Sequence, residues 1–535
     1  MAHHRTGRKG ATPPERLKDP RSPVFAAVNA VAVAALVLLA GAGGATPAGA
    51  TSRAAAPAAR FVPGACPTTP EPVAALDGAK CGFLEVPENR SRPAGRTIRL
   101  AVAVVPAASS KPAQDPVVYM AGGPGGDAFD DIPLLVDAGV NRDRDLIVMA
   151  QRGNLHSQPN LACPEIDRAS ARAVGLRYDD PSARRLLVGA AKQCRDRLAA
   201  DGTDLGAYNT GENAADFADL RTALGVRRWN VYAYSYGTDL ALTYLREHPR
   251  GIRSVALDSV TPPQTVNLPW TWSSAREGVD AVLAACRAEP RCQARYPDVA
   301  RTLTEQVRKL EAHPLTLHAA PPRGGEPVKV VLDGGALVNL IVGNGVRPAD
   351  LPAALDELAR GNPQRFARAR AADAYPAVGR TAHGLTESVA CGEWVPGYTE
   401  SQVLEAGRTA FPGMPDTVLA QAPQLPFQQE VCRVWNVPDR TAAQRVATVS
   451  AVPALIVSGT FDTKTGASWG ARTARDLSRS TVVRIPGVGH FAVAQSPCAQ
   501  SVLASFFARP TAPDTGCVAD LAPKPFTIPR SDREA

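Results

Sequence analysis

The chain has 535 residues, 45% hydrophobic, 21% charged and 5% aromatic, a globular composition that excludes a disordered protein. Its net charge of +8 is concentrated in the first fifty residues; without them the balance is +4, too weak and scattered for a nucleic-acid-binding protein. The length allows three ordinary domains, or one large α/β core with an insertion.

Residues 1–50 read as a signal peptide. Arg5, Arg8, Lys9, Arg16, Lys18 and Arg21 precede a compact apolar run, Val24 to Leu39, and small residues follow, ending in Ala48-Gly49-Ala50. The run is short for a membrane anchor and contains Asn29, so cleavage is expected. No twin-arginine pair precedes the run and no cysteine directly follows it, which argues against folded-state export and a lipid anchor. No later segment is apolar enough to span a bilayer. A secreted protein is expected, at the cell wall or free of it, with no stable membrane insertion after cleavage. Residues 51–65 are Ala/Pro/Arg-rich and predict a flexible start to the mature chain.

The ten cysteines fit an oxidising compartment. No C-x-x-C pair and no zinc-like Cys/His spacing occurs, so no metal is expected. Short loops close most easily, which favours nearest-neighbour pairing: 66–81, 163–194, 286–292, 391–432 and 498–517.

From Cys81 onward, short apolar runs alternate with helical patterns. Ile98 to Val105, Val117 to Met120, Leu146 to Met149, Trp229 to Tyr232 and Ser254 to Leu257 read as buried strands. Between the third and fourth of these, 212–224 reads as a helix with Phe217, Leu220 and Leu224 on one face and Gly225 at its end. From about Pro269 to Arg445 the pattern is mainly helical, over Ala275 to Cys286, Arg301 to Glu311 and Leu351 to Arg360. Pro-rich breaks such as Ala320-Pro321-Pro322-Arg323-Gly324-Gly325 interrupt it. Strand patterns resume at Val452 to Ser458 and Thr481 to Ile485. The expected fold is α/β, a mostly parallel sheet with helices on both faces. Its two parts, 66–268 and 446–535, flank a large helical cap insertion, 269–445.

The sharpest local signal is Ala233-Tyr234-Ser235-Tyr236-Gly237, placed between an apolar strand and an amphipathic helix. It is similar to the G-x-S-x-G nucleophile elbow, with Ala for the first Gly. A serine nucleophile needs an oriented base. His490 is the favoured one, following a strand and a glycine turn in Gly487-Val488-Gly489-His490; His156, His248, His313, His318 and His383 lie in less suitable places. The orienting acid is expected at Asp462, where a buried strand ends in Gly459-Thr460-Phe461-Asp462, with Asp258 as its competitor. An oxyanion hole needs two backbone N–H groups. Tyr236 supplies one, and Gly123, in the run Gly122-Gly123-Pro124-Gly125-Gly126 after a strand, supplies the other.

Taken together, Gly-Gly-Pro-Gly-Gly, the serine elbow, Gly459-Thr460-Phe461-Asp462-Thr463 and Gly-Val-Gly-His resemble the proline iminopeptidase and tripeptidyl aminopeptidase group of serine hydrolases. The likeness is greatest to secreted actinobacterial members with a tripeptidyl-aminopeptidase-like (TAP-like) C-terminal segment, and it covers nearly all of 66–520. The resemblance implies the α/β-hydrolase fold. It departs at Ala121 (usually His), at Ala150-Gln151-Arg152-Gly153 (usually Asp first) and at Lys464-Thr465 (usually Thr-Pro). The group's C-x-E pattern maps onto Cys391-Gly392-Glu393, which implies that Glu393 holds the substrate's α-ammonium; the plainer reading is a surface glutamate beside a disulfide.

The expected activity is hydrolysis of peptide bonds near free N-termini through an acyl-enzyme, without metal or organic cofactor. The rivals are a secreted esterase or lipase using the same triad, and a non-catalytic, disulfide-stapled surface protein. Peptides with a free N-terminus are the expected partners; oligomeric state is not legible.

Overall fold

Apolar, β-branched runs become strands wherever both of their faces can be covered. The computed structural model describes residues 59–265, 268–376 and 378–528. The predicted signal peptide lies outside the described residues.

The strands are β1 Arg60–Pro63, β2 Lys80–Pro87, β3 Thr97–Val105, β4 Val117–Met120, β5 Leu146–Met149, β6 Ser157–Gln158, β7 Trp229–Tyr234, β8 Ile252–Asp258, β9 Leu315–Ala319, β10 Val328–Leu332, β11 Ala454–Gly459 and β12 Ser480–Ile485. One sheet has the order β1-β2-β3-β5-β4-β7-β8-β11-β12, with β6 also paired to β3. Neighbours from β5 to β12 are parallel. The opposite end, β1-β2-β3-β5, is antiparallel.

Alternation along β4 builds two core layers. Val117 and Tyr119 join Val148, Leu455 and Phe506 on one face; Val118 and Met120 join Ile147, Val231, Phe217 and Leu240 on the other. The first layer is closed by the helix Pro497–Ala508, the second by the helices Thr210–Ala223 and Tyr236–Glu247. In Thr210–Ala223, Phe217 and Leu220 are buried, and the Asn209 side chain accepts the Glu212 N–H at its start.

Two local expectations are corrected. The stretch 51–65 was expected to be flexible, yet Arg60–Pro63 pairs with β2, because that strand's outer edge offers unpaired amides and Phe61 packs beside Gly82. The Pro-rich stretch 320–325 lies between β9 and β10, which pair antiparallel, rather than between two helices. Leu315-Thr316-Leu317-His318-Ala319 and Val328-Lys329-Val330-Val331-Leu332 carry the β-branched residues that a helical reading overlooks.

Apart from that hairpin, the chain between β8 and β11 is mostly helical, beginning with Leu268–Ala288, and it has its own core of Trp272, Val279, Leu303, Leu337 and Phe366. The five disulfides join the nearest-neighbour pairs, Cys66–Cys81, Cys163–Cys194, Cys286–Cys292, Cys391–Cys432 and Cys498–Cys517. Among the described residues no helix is long and apolar enough to cross a membrane.

Candidate active site

Ser235 stands at the turn from β7 into the helix Tyr236–Glu247, with φ 54° and ψ −127°. A non-glycine residue there is strained by about 1–3 kcal/mol, and close packing holds it in place. A Cβ on Gly237 would sit 2.1 Å from the Met120 carbonyl oxygen, so only glycine lets the helix approach the end of β4 this closely. Ala233 lies within β7 and is fully buried, where a methyl group is accommodated. The Ser235 N–H donates to the Asp258 carbonyl at 3.0 Å.

The Ser235 Oγ lies 2.9 Å from His490 Nε2, and His490 Nδ1 lies 2.8 Å from Asp462 Oδ2. Asp462 is completely enclosed. Its Oδ1 accepts the Lys464 and Thr465 N–H groups at 2.9 and 3.0 Å, and its Oδ2 accepts the Thr465 hydroxyl at 2.6 Å. Burial alone would raise its pKa. The nearby His490 charge and the bonds from His490 and Thr465 outweigh burial and hold the carboxyl below its ordinary value. An ionised carboxylate only accepts, so Nδ1 carries the imidazole proton and Nε2 is left to accept from the serine hydroxyl. The other described histidines do not line this site.

Asp258, the competing acid, has a different task. Its carboxylate accepts the N–H groups of Ala492 and Val493 at 3.0 and 2.9 Å, and Ser259 Oγ accepts the Phe491 N–H. Burial pushes the Asp258 carboxyl up to about 6, against these hydrogen bonds. The end of β8 thus fixes the backbone that follows His490.

The cavity above Ser235 has a volume of ≈ 370 Å³; Gly123, Tyr236, Trp394, Lys464 and His490 are among its walls. Tyr236 is the first residue of its helix, so its N–H has no helical acceptor and points from the positive end of the dipole. Gly123 has φ +117°, a conformation that disfavours any side chain. The carbonyls around it are pinned. Gln151 donates to Ala121, Thr386 to Pro124, the Ala382 N–H to Gly125, and Asn154 to Gly126.

Sequence reasoning missed Thr465, Gln151 and Asn154. A threonine three residues after a strand-end aspartate was the available sign for Thr465, since that spacing suits a turn closed on the carboxylate. Gln151 and Asn154 act across 28–30 residues of chain and leave no local pattern.

Glu393 departs from expectation. It is 1% exposed, so it is not a surface residue, and it does not line the cavity. Its Oε1 accepts the Thr210 N–H at 2.8 Å and its Oε2 the Thr210 hydroxyl at 2.6 Å. Thr210 opens the helix Thr210–Ala223, whose positive end attracts the carboxylate away from the cavity. Burial pushes Glu393 up to about 7. Among the described residues no carboxylate lines the cavity, and no group of three or more His, Cys, Asp or Glu residues is placed to hold a metal.

Comparison with known proteins agrees with this geometry. Residues 115–283 match the family model for the alpha/beta hydrolase fold. The chain has the α/β-hydrolase fold. Residues 420–519 match the model for TAP-like proteins, so the chain carries that C-terminal segment as well. Over 196 residues it is 30% identical to a tripeptidyl aminopeptidase of Streptomyces lividans, covering 34% of this chain and 36% of that one. A probable proline iminopeptidase of Streptomyces coelicolor is 32% identical over 112 residues, 20% of this chain and 34% of the other. The serine protease Hip1 of Mycobacterium tuberculosis is 27% identical over 201 residues, 35% and 36% respectively. The chain therefore spans about a third of the length of the curated relatives that it matches.

Proposed function

We propose that this hydrolase is a secreted serine peptidase of the aminopeptidase type, cleaving peptides near their free N-termini. One observation carries the catalytic part: the hydrogen-bonded series Ser235–His490–Asp462, with links of 2.9 and 2.8 Å. In this reading Ser235 attacks the scissile carbonyl while His490 takes its proton, and Asp462 holds the imidazole and balances its charge. The Gly123 and Tyr236 amides receive the oxyanion. His490 then protonates the leaving amine, and water hydrolyses the acyl-enzyme by the same route reversed. Residues 66–268 and 446–535 act as the catalytic core and 269–445 as a helical insertion over it. The five disulfides and the leader support secretion, and the relatives' names support the peptidase class.

A secreted esterase is the second reading. It is favoured by the cavity wall, which among the described residues offers no carboxylate to an α-ammonium. A panel of free and acetylated peptides and simple esters, read by product mass, separates the two. Release of residues from free peptides alone is expected; cleavage confined to esters would overturn the peptidase reading. Ser235→Ala is expected to lower kcat by about 10⁶, and retained activity in that variant would reject the triad.

A further inference from the structure

Lys464 is the feature that the catalytic account leaves unused. It stands two residues after Asp462, and it is one of the residues that line the cavity containing Ser235 and His490. It is half-buried, and among the described residues its ammonium has no hydrogen-bond or ion-pair partner; only its backbone N–H is engaged, to Asp462 Oδ1. The nearest anion along the chain, the Asp462 carboxylate, is committed to His490, Thr465 and two backbone amides. Apart from His490, the other described residues that line the cavity are apolar or neutral, including Trp394, Trp469, Leu425, Val342 and Gln424. An ammonium partly withdrawn from water without a counter-ion is disfavoured, and an anion entering the same cavity relieves it. Burial accordingly lowers the Lys464 pKa, and the Asp462 charge offsets this only in part.

We propose that Lys464 is a specificity-determining residue, and that the cavity takes substrates carrying a carboxylate close to the scissile carbonyl. That carboxylate belongs either to an acidic side chain on the acylating residue or to the free C-terminus of the leaving residue. Both present the same chemistry to the ammonium. This proposal rests on Ser235, His490 and Asp462 as the hydrolytic machinery, and not on the choice between peptide and ester.

The test uses matched substrates on the full-length secreted enzyme. One arm compares Glu with Gln at the residue whose carbonyl is attacked. The other compares a C-terminal carboxylate with the carboxamide on the leaving residue. The readout is the ratio of kcat/KM, acid over neutral, taken within one preparation, so that differences in the amount of folded enzyme cancel. In at least one arm the wild type is expected to prefer the acid by about ten- to hundredfold. Lys464→Met brings that ratio to near one, Lys464→Glu inverts it, and Lys464→Arg retains it. The arm that responds identifies the source of the carboxylate. No preference in either arm, or a preference that Lys464→Met and Lys464→Glu leave unchanged, overturns the proposal. The same comparison is run on half-esters of dicarboxylic acids against their amide analogues. If peptides resist and esters are cleaved, the aminopeptidase reading fails while the Lys464 ratio is still read.

Discussion

Glu393→Gln tests both the buried position of that side chain and its exclusion from substrate binding. Folding raises the Glu393 carboxyl from its ordinary 4.5 to about 7, because burial penalises the charged form more than the two Thr210 bonds favour it. The folded pKa exceeds the unfolded one, so between these values the folded protein holds a proton that the unfolded chain has released. This contribution to stability is complete below pH 4.5 and is lost as pH rises towards 7. At 1.36 kcal/mol per unit, the loss is on the order of 3 kcal/mol. Gln has no charge to bury. It keeps an acceptor for the Thr210 N–H, and its amide donates to the Thr210 hydroxyl. The variant should match the wild type near pH 5 and exceed it by about 3 kcal/mol at pH 8, a Tm difference of about 3 °C for a chain this long. Urea and thermal unfolding at both pH values, with disulfides intact, measure the difference. An equal stability gap at pH 5 and pH 8 would refute the buried, proton-holding carboxyl. Selectivity for free over acetylated peptides should be unchanged in the same variant; its selective loss would put Glu393 at the substrate's ammonium and refute the orientation described.

Two further outcomes follow from the geometry. Asp462→Asn leaves one acceptor oxygen where two now serve His490, Thr465 and two amides, and kcat should fall by about 10⁴ through loss of the required imidazole tautomer; steady-state kinetics on the best substrate will show it, and a change below tenfold would count against the assignment. Replacing both Cys391 and Cys432 by Ser opens a bridge spanning 41 positions, which should lower stability by roughly 4 kcal/mol. Urea unfolding without reductant measures that loss, and KM should rise because Trp394 of the cavity wall lies three residues from the bridge.

The grouping of Ser235, His490 and Asp462 was legible because each part has a local grammar. A buried strand running into a small-residue turn marks Ser235, and the same pattern marks Asp462 and the loop to His490. The antiparallel end of the sheet was less legible, since Arg60–Pro63 is short, mixed in composition and stabilised only by the edge it joins. The hairpin of β9 and β10 was hidden among helical patterns by the prolines between its strands. Glu393 shows a different limit. Its sequence context identifies the residue but not the direction of its side chain, which is decided by Thr210, 183 positions away along the chain. Asp258 likewise resembled a catalytic acid, because a strand-end aspartate looks the same whether it meets a ring or caps backbone amides.

β8 and β11 lie side by side in the sheet, although nearly two hundred positions separate them along the polypeptide. A copy threaded out amino end first displays Ser235 while its imidazole, 255 positions later, has yet to emerge. The Ser235–His490 pair can therefore close only after β12, the last strand, has been made. A copy that ends before β12 lacks His490 and cannot form the Ser235–His490 pair.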